Sequence, residues 1–221
     1  MALILNIETS TKSTSVALAK GGELLSLIEE HEVVSHATKL TPFIEEVLKK
    51  VNLKLTDLDA IAISNGPGSY TGLRIGLSTA KGLCYALDIP LIEVSGLESM
   101  AYYLRYTHIK KYKLYVSIMN SRKNEVYLSS IDSSLDIIHK PSPVKVDENF
   151  LLGYEETDIL MAGSGWEKLD GNIKHINITF IEGIKFSAKN MVKPTFKLFE
   201  QGLFADLAYS EPDYLKPFIS K

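Results

Sequence analysis

The stretch "LILNIETSTKSTSVALAKGGELLSLIEE", residues 3–30, has the pattern of three consecutive β-strands. Leu3 to Glu8 is a short apolar run, and Thr14 to Lys20 alternates between apolar and polar positions. The pair Gly21-Gly22 forms a two-residue turn typical of β-hairpins, and Glu23 to Glu30 follows it as a third strand. The chain is therefore predicted to open with an antiparallel meander.

Helices and strands alternate after the meander. Apolar residues recur at helical spacing from Ala37 to Val51. An interior proline costs roughly 3 kcal/mol or bends a helix, so at Pro42 either the helix bends or its regular part begins with Thr41 as N-cap. The later elements are a strand at Ala60–Ser64, a glycine-rich loop, a helix to about Leu87, a strand at Leu91–Val94 and a helix to about Arg105.

The second half of the chain repeats this order with weaker periodicity. Strands are predicted at Lys113–Met119, Glu125–Ile131, Leu135–His139, Asp158–Ala162 and about His175–Ile178, and helices at about Asp147–Leu152, Trp166–Leu169 and Ser187–Gln201. Two copies of βββαβαβα describe an α/β protein with two ribonuclease H-like lobes, of the class of actin, sugar kinases and Hsp70 (ASKHA). The lobes are predicted at residues 1–105 and 106–221. It stays open whether the last helix and tail, about residues 187–221, pack back on the first lobe.

Composition excludes several classes of protein. The chain has 221 residues, of which 45% are hydrophobic and 23% charged, as in ordinary globular proteins. A formal net charge of -3 gives no general attraction to nucleic acid. The single cysteine, Cys84, excludes an internal disulfide. No apolar run approaches the roughly 18 residues of a membrane-spanning helix, and the first residues do not resemble a signal peptide, so a cytoplasmic protein with no membrane contact is expected.

The glycine-rich loop "SNGPGSYTGLRIG", residues 64–76, does not match the known phosphate cradles. A Walker A loop requires Gly-Lys-Ser/Thr where this chain has Gly72-Leu73-Arg74, and Thr71 replaces the last glycine of GxGxxG. Ser69 or Thr71 can cap the helix that follows. Because an interior glycine costs about 1 kcal/mol relative to alanine, Gly76 and Gly82 indicate close approach by another helix, from the same lobe or from another subunit.

The turns after the first strand of each lobe are where an ASKHA kinase would bind nucleotide. In the first lobe Glu8, Thr9, Ser10 and Thr11 could serve a metal ion and phosphate oxygens, although such residues also favour a plain tight turn. In the second lobe a phosphotransferase needs aspartate and then glycine, and Asn120 cannot supply the charge. The turn residues therefore predict at most a vestigial nucleotide site, whose members are Glu8, Thr9, Ser10, Thr11, Asn120, Gly163 and Gly165.

Hydrolase and metal motifs do not fit the sequence. His31 and His36 do not have the spacing of HExxH, so their imidazoles would not share one face of a helix. GxSxG does not occur, because Ser69 follows Gly68 directly. No catalytic residue and no metal ligand is assigned to this chain.

Several segments together resemble the TsaB (YeaZ) family. They are "ILNIETSTKSTSVAL", "SHATKLTPFIEEVLKK", "LDAIAISNGPGSYTGLRIGLSTAKGLCYALDIPLIEVSGLESMA", "NSRKNEVYLSSID" and "EPDYLKPF". The resemblance implies a non-catalytic accessory subunit of the complex that makes threonylcarbamoyladenosine beside the anticodon of tRNA. It also implies two partners, the catalytic subunit TsaD and the ATPase TsaE. TsaD has an HxxxH metal motif where this chain has Gly96 and Met100, so ATP, magnesium and the metal are expected on TsaD.

The same resemblance implies a docking surface. Family members pair two helices of the first lobe, here about residues 36–51 and 69–87, with the same helices of TsaD or, when alone, of a second copy. The implied interface residues are His36, Leu40, Ile44, Val47, Tyr70, Thr71, Gly72, Arg74, Ile75, Gly76 and Thr79. Contact with tRNA is expected to be indirect. Asn120 departs from the aspartate of many members, and an ASKHA-type small-molecule kinase or ATP-binding enzyme is the alternative.

Overall fold

The computed structural model describes residues 1–31, 35–108, 112–169 and 177–216. The chain divides into two units, one made of Met1–Gly96 and Phe186–Lys221 and the other of Leu97–Lys185. The first unit is thus discontinuous in sequence. The boundary drawn from sequence, after residue 105, would instead keep the helix before it in the first lobe.

The first unit is built on a mixed five-stranded sheet. Its strands are β1 (Leu3–Glu8), β2 (Thr14–Lys20), β3 (Glu23–Glu30), β4 (Ala60–Gly66) and β5 (Leu91–Ser95), in the order β3-β2-β1-β4-β5. The first three are antiparallel, whereas β4 and β5 run parallel to β1. The predicted meander is confirmed, and the positive φ angles of Gly21 and Gly22, 58° and 77°, explain the glycine pair at its turn.

Helices cover both faces of this sheet, and that is why β1 is buried along its whole length. The helices α1 (His36–Lys49) and α2 (Tyr70–Leu87) pack on the face that carries Leu3, Leu5 and Ile7. On the opposite face lies α4 (Ala188–Glu200), whose Thr195 donates a hydrogen bond to Asn6 Oδ1 at 2.8 Å. The last helix is therefore part of the first unit.

The second unit contains a second five-stranded sheet of matching topology. It comprises α3 (Gly96–Thr107), whose first residue belongs to the first unit, and the strands β6 (Leu114–Asn120), β7 (Glu125–Asp132), β8 (Ile137–Lys145), β9 (Ile159–Gly163) and β10 (Ile178–Ile181). The strand order is β10-β9-β6-β7-β8, with β6, β7 and β8 antiparallel and β9 and β10 parallel to β6. Two sheets of this kind confirm the predicted ASKHA fold class.

Of the three helices predicted in the second half, the one at Ser187–Gln201 is confirmed as α4, and the other two are wrong. The helix expected at residues 147–152 is a series of turns, because the Asp147 carboxylate accepts the N–H of Asn149 and Leu151 has a φ of 52°. The helix expected at 166–169 is a single 3-10 turn, Trp166–Lys168. Of the strand expected at 175–178, residues 175 and 176 lie outside the described residues.

Two other boundaries also differ from expectation. The strand expected at 135–139 begins at Ile137 and continues to Lys145 through Pro141 and Pro143, which β8 tolerates as an edge strand. In the first unit, α1 begins at His36 and runs through Pro42, so the later start after Thr41 is wrong. Pro42 is exposed, so water can reach the carbonyl it leaves unpaired.

Candidate functional site

The start of α2 packs on the turn between β1 and β2. Ser69 is the N-cap, since its hydroxyl accepts the N–H of Gly72 at 3.2 Å, so Ser69 rather than Thr71 caps the helix. The N–H of Ser69 donates to the carbonyl of Ser10 at 2.6 Å, and the Thr9 hydroxyl donates to the carbonyl of Gly72 at 2.9 Å. The turn and the helix start therefore form one hydrogen-bonded block.

The glycines of α2 that were expected to meet another subunit face this block instead. A Cβ atom at Gly72 would collide with the Thr9 carbonyl oxygen, and one at Gly76 would collide with the Thr9 hydroxyl. Both glycines are buried. The expectation that Gly72 and Gly76 form an intermolecular surface is corrected: the close approach that offsets their cost comes from Thr9 of the same chain.

Most of the α1 residues expected at the interface also lie inside the unit. Leu40, Ile44 and Val47 are at most 3% exposed and belong to the core between α1 and the sheet, so in this structure they present almost no surface to a partner. His36 is half-buried, and its Nδ1 lies 2.7 Å from the Thr14 hydroxyl. Burial lowers the pKa of His36, which favours its neutral form.

The remaining interface candidates, on α2, are accessible. Thr71 and Arg74 are exposed, and Tyr70, Ile75 and Thr79 are partly buried. Sequence reasoning left out neighbours that complete this surface, although Ser78 and Tyr85 lie on the same helical stripe as Arg74. The α2 outer face, as we call it, consists of Thr71, Arg74, Ile75, Ser78, Gly82, Tyr85 and Ala86.

The residues predicted for a vestigial nucleotide site form two groups, one in each unit. In the first, Glu8 is 1% exposed and its Oε1 accepts the N–H of Ser10 at 2.5 Å. Burial raises the pKa of Glu8, and the hydrogen bond from the Ser10 N–H opposes this rise only in part. The hydroxyl of Thr9 is used inside the chain. Glu8, Thr9 and Ser10 are all buried, and only Thr11 is partly accessible.

In the second unit, Asn120 lies at the end of β6 beside the turn after β9. Its N–H donates to the Ser164 hydroxyl at 3.0 Å, and Gly163 and Gly165 flank this serine with φ angles of 128° and 95°. A Cβ atom at Gly165 would lie 3.2 Å from the Cα of Asn120. The structure therefore brings the three second-unit candidates together.

A lysine that sequence reasoning missed closes the turn after β6. The Lys168 ammonium donates to the carbonyls of Ser121, Arg122 and Glu125 at 3.3, 2.6 and 2.8 Å. These carbonyls are thereby satisfied by a cation of the chain itself. No sequence motif pointed to Lys168, because its partners lie more than 40 positions away.

The described part of the chain contains neither a metal cluster nor a membrane span. In the described ranges, no three His, Cys, Asp or Glu side chains gather where they could hold a metal ion. Among the same residues, no helix combines the length and apolar character needed to cross a bilayer.

Comparisons with known proteins point to one family. Residues 30–218 match the family model described as TsaD, tRNA N6-adenosine threonylcarbamoyltransferase. The chain is 38% identical over 128 residues to the tRNA threonylcarbamoyladenosine biosynthesis protein TsaB of Haemophilus influenzae, an alignment that covers 58% of this chain and about half (53%) of that protein. It is 27% identical over 224 residues to TsaB of Escherichia coli, covering 96% and 94%.

Solved structures agree in fold. YeaZ from Pseudomonas aeruginosa is 25% identical and superposes with a TM-score of 0.84 over 97% of this chain and 100% of its own. An activator of 2-hydroxyisocaproyl-CoA dehydratase from Clostridium difficile, 8% identical, superposes with a TM-score of 0.54 over 90% of this chain and 95% of its own. At this identity the second likeness concerns the fold alone.

Proposed function

The chain belongs to the TsaB (YeaZ) family and matches the TsaD family model over residues 30–218. From this premise we propose that it is an accessory subunit in the synthesis of threonylcarbamoyladenosine in tRNA. In this proposal the chain carries out no chemistry itself. It binds and supports a TsaD-like catalytic subunit, which holds the ATP, the magnesium and the metal ion. A TsaE-like ATPase assists, and tRNA is contacted through the partner.

The proposal that this chain binds a partner subunit is supported mainly by the α2 outer face. Gly82 lies in the middle of an exposed helix, and a Cβ atom there would have nothing within 4 Å. Among the described residues, no contact with Gly82 offsets the cost of about 1 kcal/mol that a glycine brings to a helix interior. Tyr85, one turn away, is 83% exposed, and tyrosine is enriched in protein interfaces. Small residues beside an exposed aromatic suit the close approach of a partner helix.

The residues found at positions where TsaD or an ASKHA kinase would carry functional groups support the proposal that this chain has no catalytic activity. Gly96 and Met100 occupy the positions at which TsaD is expected to carry its metal-binding histidines. Neither residue has an imidazole ring that could bind the metal ion. At the turn after β6, which in an ASKHA kinase would face phosphate, Asn120 stands in place of the aspartate that would supply the charge for a magnesium ion.

Co-purification with the cognate TsaD-like protein tests the docking surface. Gly82→Leu adds a side chain where space is open, so the variant should fold but lose its partner. The matched control, Lys197→Leu, adds a leucine to an exposed position of α4, on the opposite face of the sheet, and should co-purify like the wild type. Wild-type recovery of the partner by a folded Gly82→Leu variant would refute the proposed surface.

A tRNA modification assay tests the role itself. We expect threonylcarbamoyladenosine to form with the TsaD-like and TsaE-like proteins plus this chain, and to be lost when this chain is omitted. The chain alone should be inactive and should show no heat of ATP-magnesium binding by calorimetry. Saturable binding of ATP-magnesium by the isolated chain would favour the alternative, an ASKHA-type kinase or ATP-binding enzyme.

A further inference from the structure

The segment after α4 runs antiparallel to α2 and lies along one side of it. We call residues 203–216 the C-terminal strap. Near its start, the N–H of Ala205 donates to the carbonyl of Leu91 at 2.9 Å. In its middle, the Lys81 ammonium donates to the carbonyls of Ala208 and Ser210 at 3.2 and 3.0 Å. The strap then reaches the first turn of α2.

The end of the strap holds one arginine of the α2 outer face in place. Tyr214 stacks on Tyr70, with ring centroids 4.9 Å apart and an interplanar angle of 28°. The guanidinium carbon of Arg74 lies 3.9 Å from the Tyr70 ring centroid. Its Nε–H donates to the Tyr214 hydroxyl at 3.1 Å. One aromatic ring and one hydrogen bond therefore fix the guanidinium plane, while the side chain stays exposed.

Arg74 is also distinctive by charge. It and Lys81 are the charged residues of α2, and Lys81 donates to the strap. Among the described residues, no carboxylate oxygen forms an ion pair with Arg74. The rest of the α2 outer face is uncharged, so a partner helix lying on it would cover an arginine that has no counter-ion. Covering a charge is costly unless the partner supplies the opposite one.

We propose that the C-terminal strap preorganises Arg74 as an anchor for a carboxylate on the docking helix of the partner subunit. This inference rests on the proposed function, because it concerns the TsaD-like partner and the same outer face. Arginine suits the role because its planar fork binds a carboxylate through two parallel hydrogen bonds. Fixing the side chain before binding removes part of the entropy that association would otherwise lose.

Affinity for the TsaD-like protein, measured by calorimetry at several salt concentrations, tests the charge. Arg74→Gln should weaken binding about 30-fold or more, because removing one member of a covered charge pair leaves the other unpaired. It should also reduce the dependence of the affinity on salt. The matched control is Lys123→Gln, an equal change of charge at an exposed turn of the second unit, which should bind like the wild type.

A double-mutant cycle with Tyr214→Ala tests the preorganisation. Tyr214→Ala should lower the affinity about tenfold in the wild type, yet change it less than about twofold in the Arg74→Gln background, since the strap acts through Arg74. Arg74→Lys should retain the salt dependence but bind more weakly, because an ammonium lacks the planar stack. A Tyr214→Ala effect of equal size in both backgrounds would overturn the role of the strap.

The outcomes separate this inference from the function on which it rests. If the wild-type chain forms no complex with the TsaD-like protein, both the proposed function and the inference are overturned. A wild-type complex that binds Arg74→Gln and Lys123→Gln equally well would overturn the inference alone.

Discussion

The role of Glu8 in the structure differs from the role that its sequence context suggested. As a carboxylate in a Ser/Thr-rich turn it suggested a metal ion, but its side chain is almost completely buried and accepts the N–H of Ser10. Burial raises its pKa above the ordinary value of 4.5. Burial makes the charged form of this carboxyl less favourable than it is in water, and its hydrogen bond from the Ser10 N–H helps to hold the turn.

The raised pKa predicts how stability depends on pH. Between the unfolded and the folded pKa of Glu8, the native chain keeps a proton that the unfolded chain has released. The free energy of unfolding should therefore fall as pH rises from about 4.5 through the folded pKa, by at most about 1.4 kcal/mol per pH unit from this group. Glu8→Gln preserves an acceptor for Ser10 and should remove that contribution.

Urea denaturation of both proteins across this pH range measures the difference. Glu45→Gln, which changes the same functional group on the exposed side of α1, is the control and should follow the wild type. Parallel pH profiles for the wild type and Glu8→Gln would contradict the prediction.

At the level of elements, α2 has three sides, and each side has a different role. Its apolar side, with Leu77 and Cys84, packs on the sheet, and Gly72 and Gly76 admit the turn at Thr9. A second side carries the strap, and the third is the outer face. Sequence periodicity separates the apolar side from the others. It cannot tell which glycine meets the chain itself, because that depends on residues more than 60 positions away.

Two alanine substitutions in α2 should therefore have opposite effects. Gly82→Ala adds a methyl group in open space and should raise the free energy of unfolding by about 1 kcal/mol through helix propensity. Gly76→Ala collides with Thr9 and Ile63 and should lower it by about 2 kcal/mol, as overpacked cores do. Chemical denaturation of the isolated chain measures both. Destabilisation by both variants to the same extent would show that the two glycines are not distinguished in this way.

At the level of the whole molecule, the first unit is complete only when it includes α4, which lies late in the sequence. α4 covers the face of the first sheet that carries Ile4, Ala62 and Val94. Its Lys189 and Lys193 pair with Glu29 and Glu23 on β3. A lobe that ends near residue 105 would expose this face to water.

Two fragments test this dependence. Residues 1–105 lack α4 and the strap and should show no cooperative unfolding transition, because one apolar face of the sheet has nothing to cover it. Residues 1–96 joined to 186–221 by a Gly/Ser linker restore α4 and should unfold cooperatively. Thermal unfolding followed by circular dichroism distinguishes them. A cooperative transition in fragment 1–105 would show that α4 is dispensable for this unit.

Much of the fold could be predicted because its signals are local. Alternation, hairpin glycines and helical stripes involve residues close in sequence, so the meander, β4, α2 and β5 were placed within a few residues. Prediction failed at residues 147–152, where the hydrogen bond between Asp147 and Asn149 competes with a helix of weak periodicity. The candidate site was predicted less well. The sequence pattern around Leu40 or Gly76 does not show whether such a residue faces the core or a partner.

The sequence by itself determined the order of the strands, the ASKHA class and the family, since periodicity, turn chemistry and motif identity are properties of neighbouring residues. Only the tertiary structure decided that Thr9 fills the space beside Gly72 and Gly76, that Lys168 closes the second-unit turn, and that the strap holds Arg74 beside Tyr70. The hydrogen bonds at these three places join positions between 43 and 140 residues apart. The physical reason is that burial and hydrogen bonding act on distance in space, which no local pattern specifies.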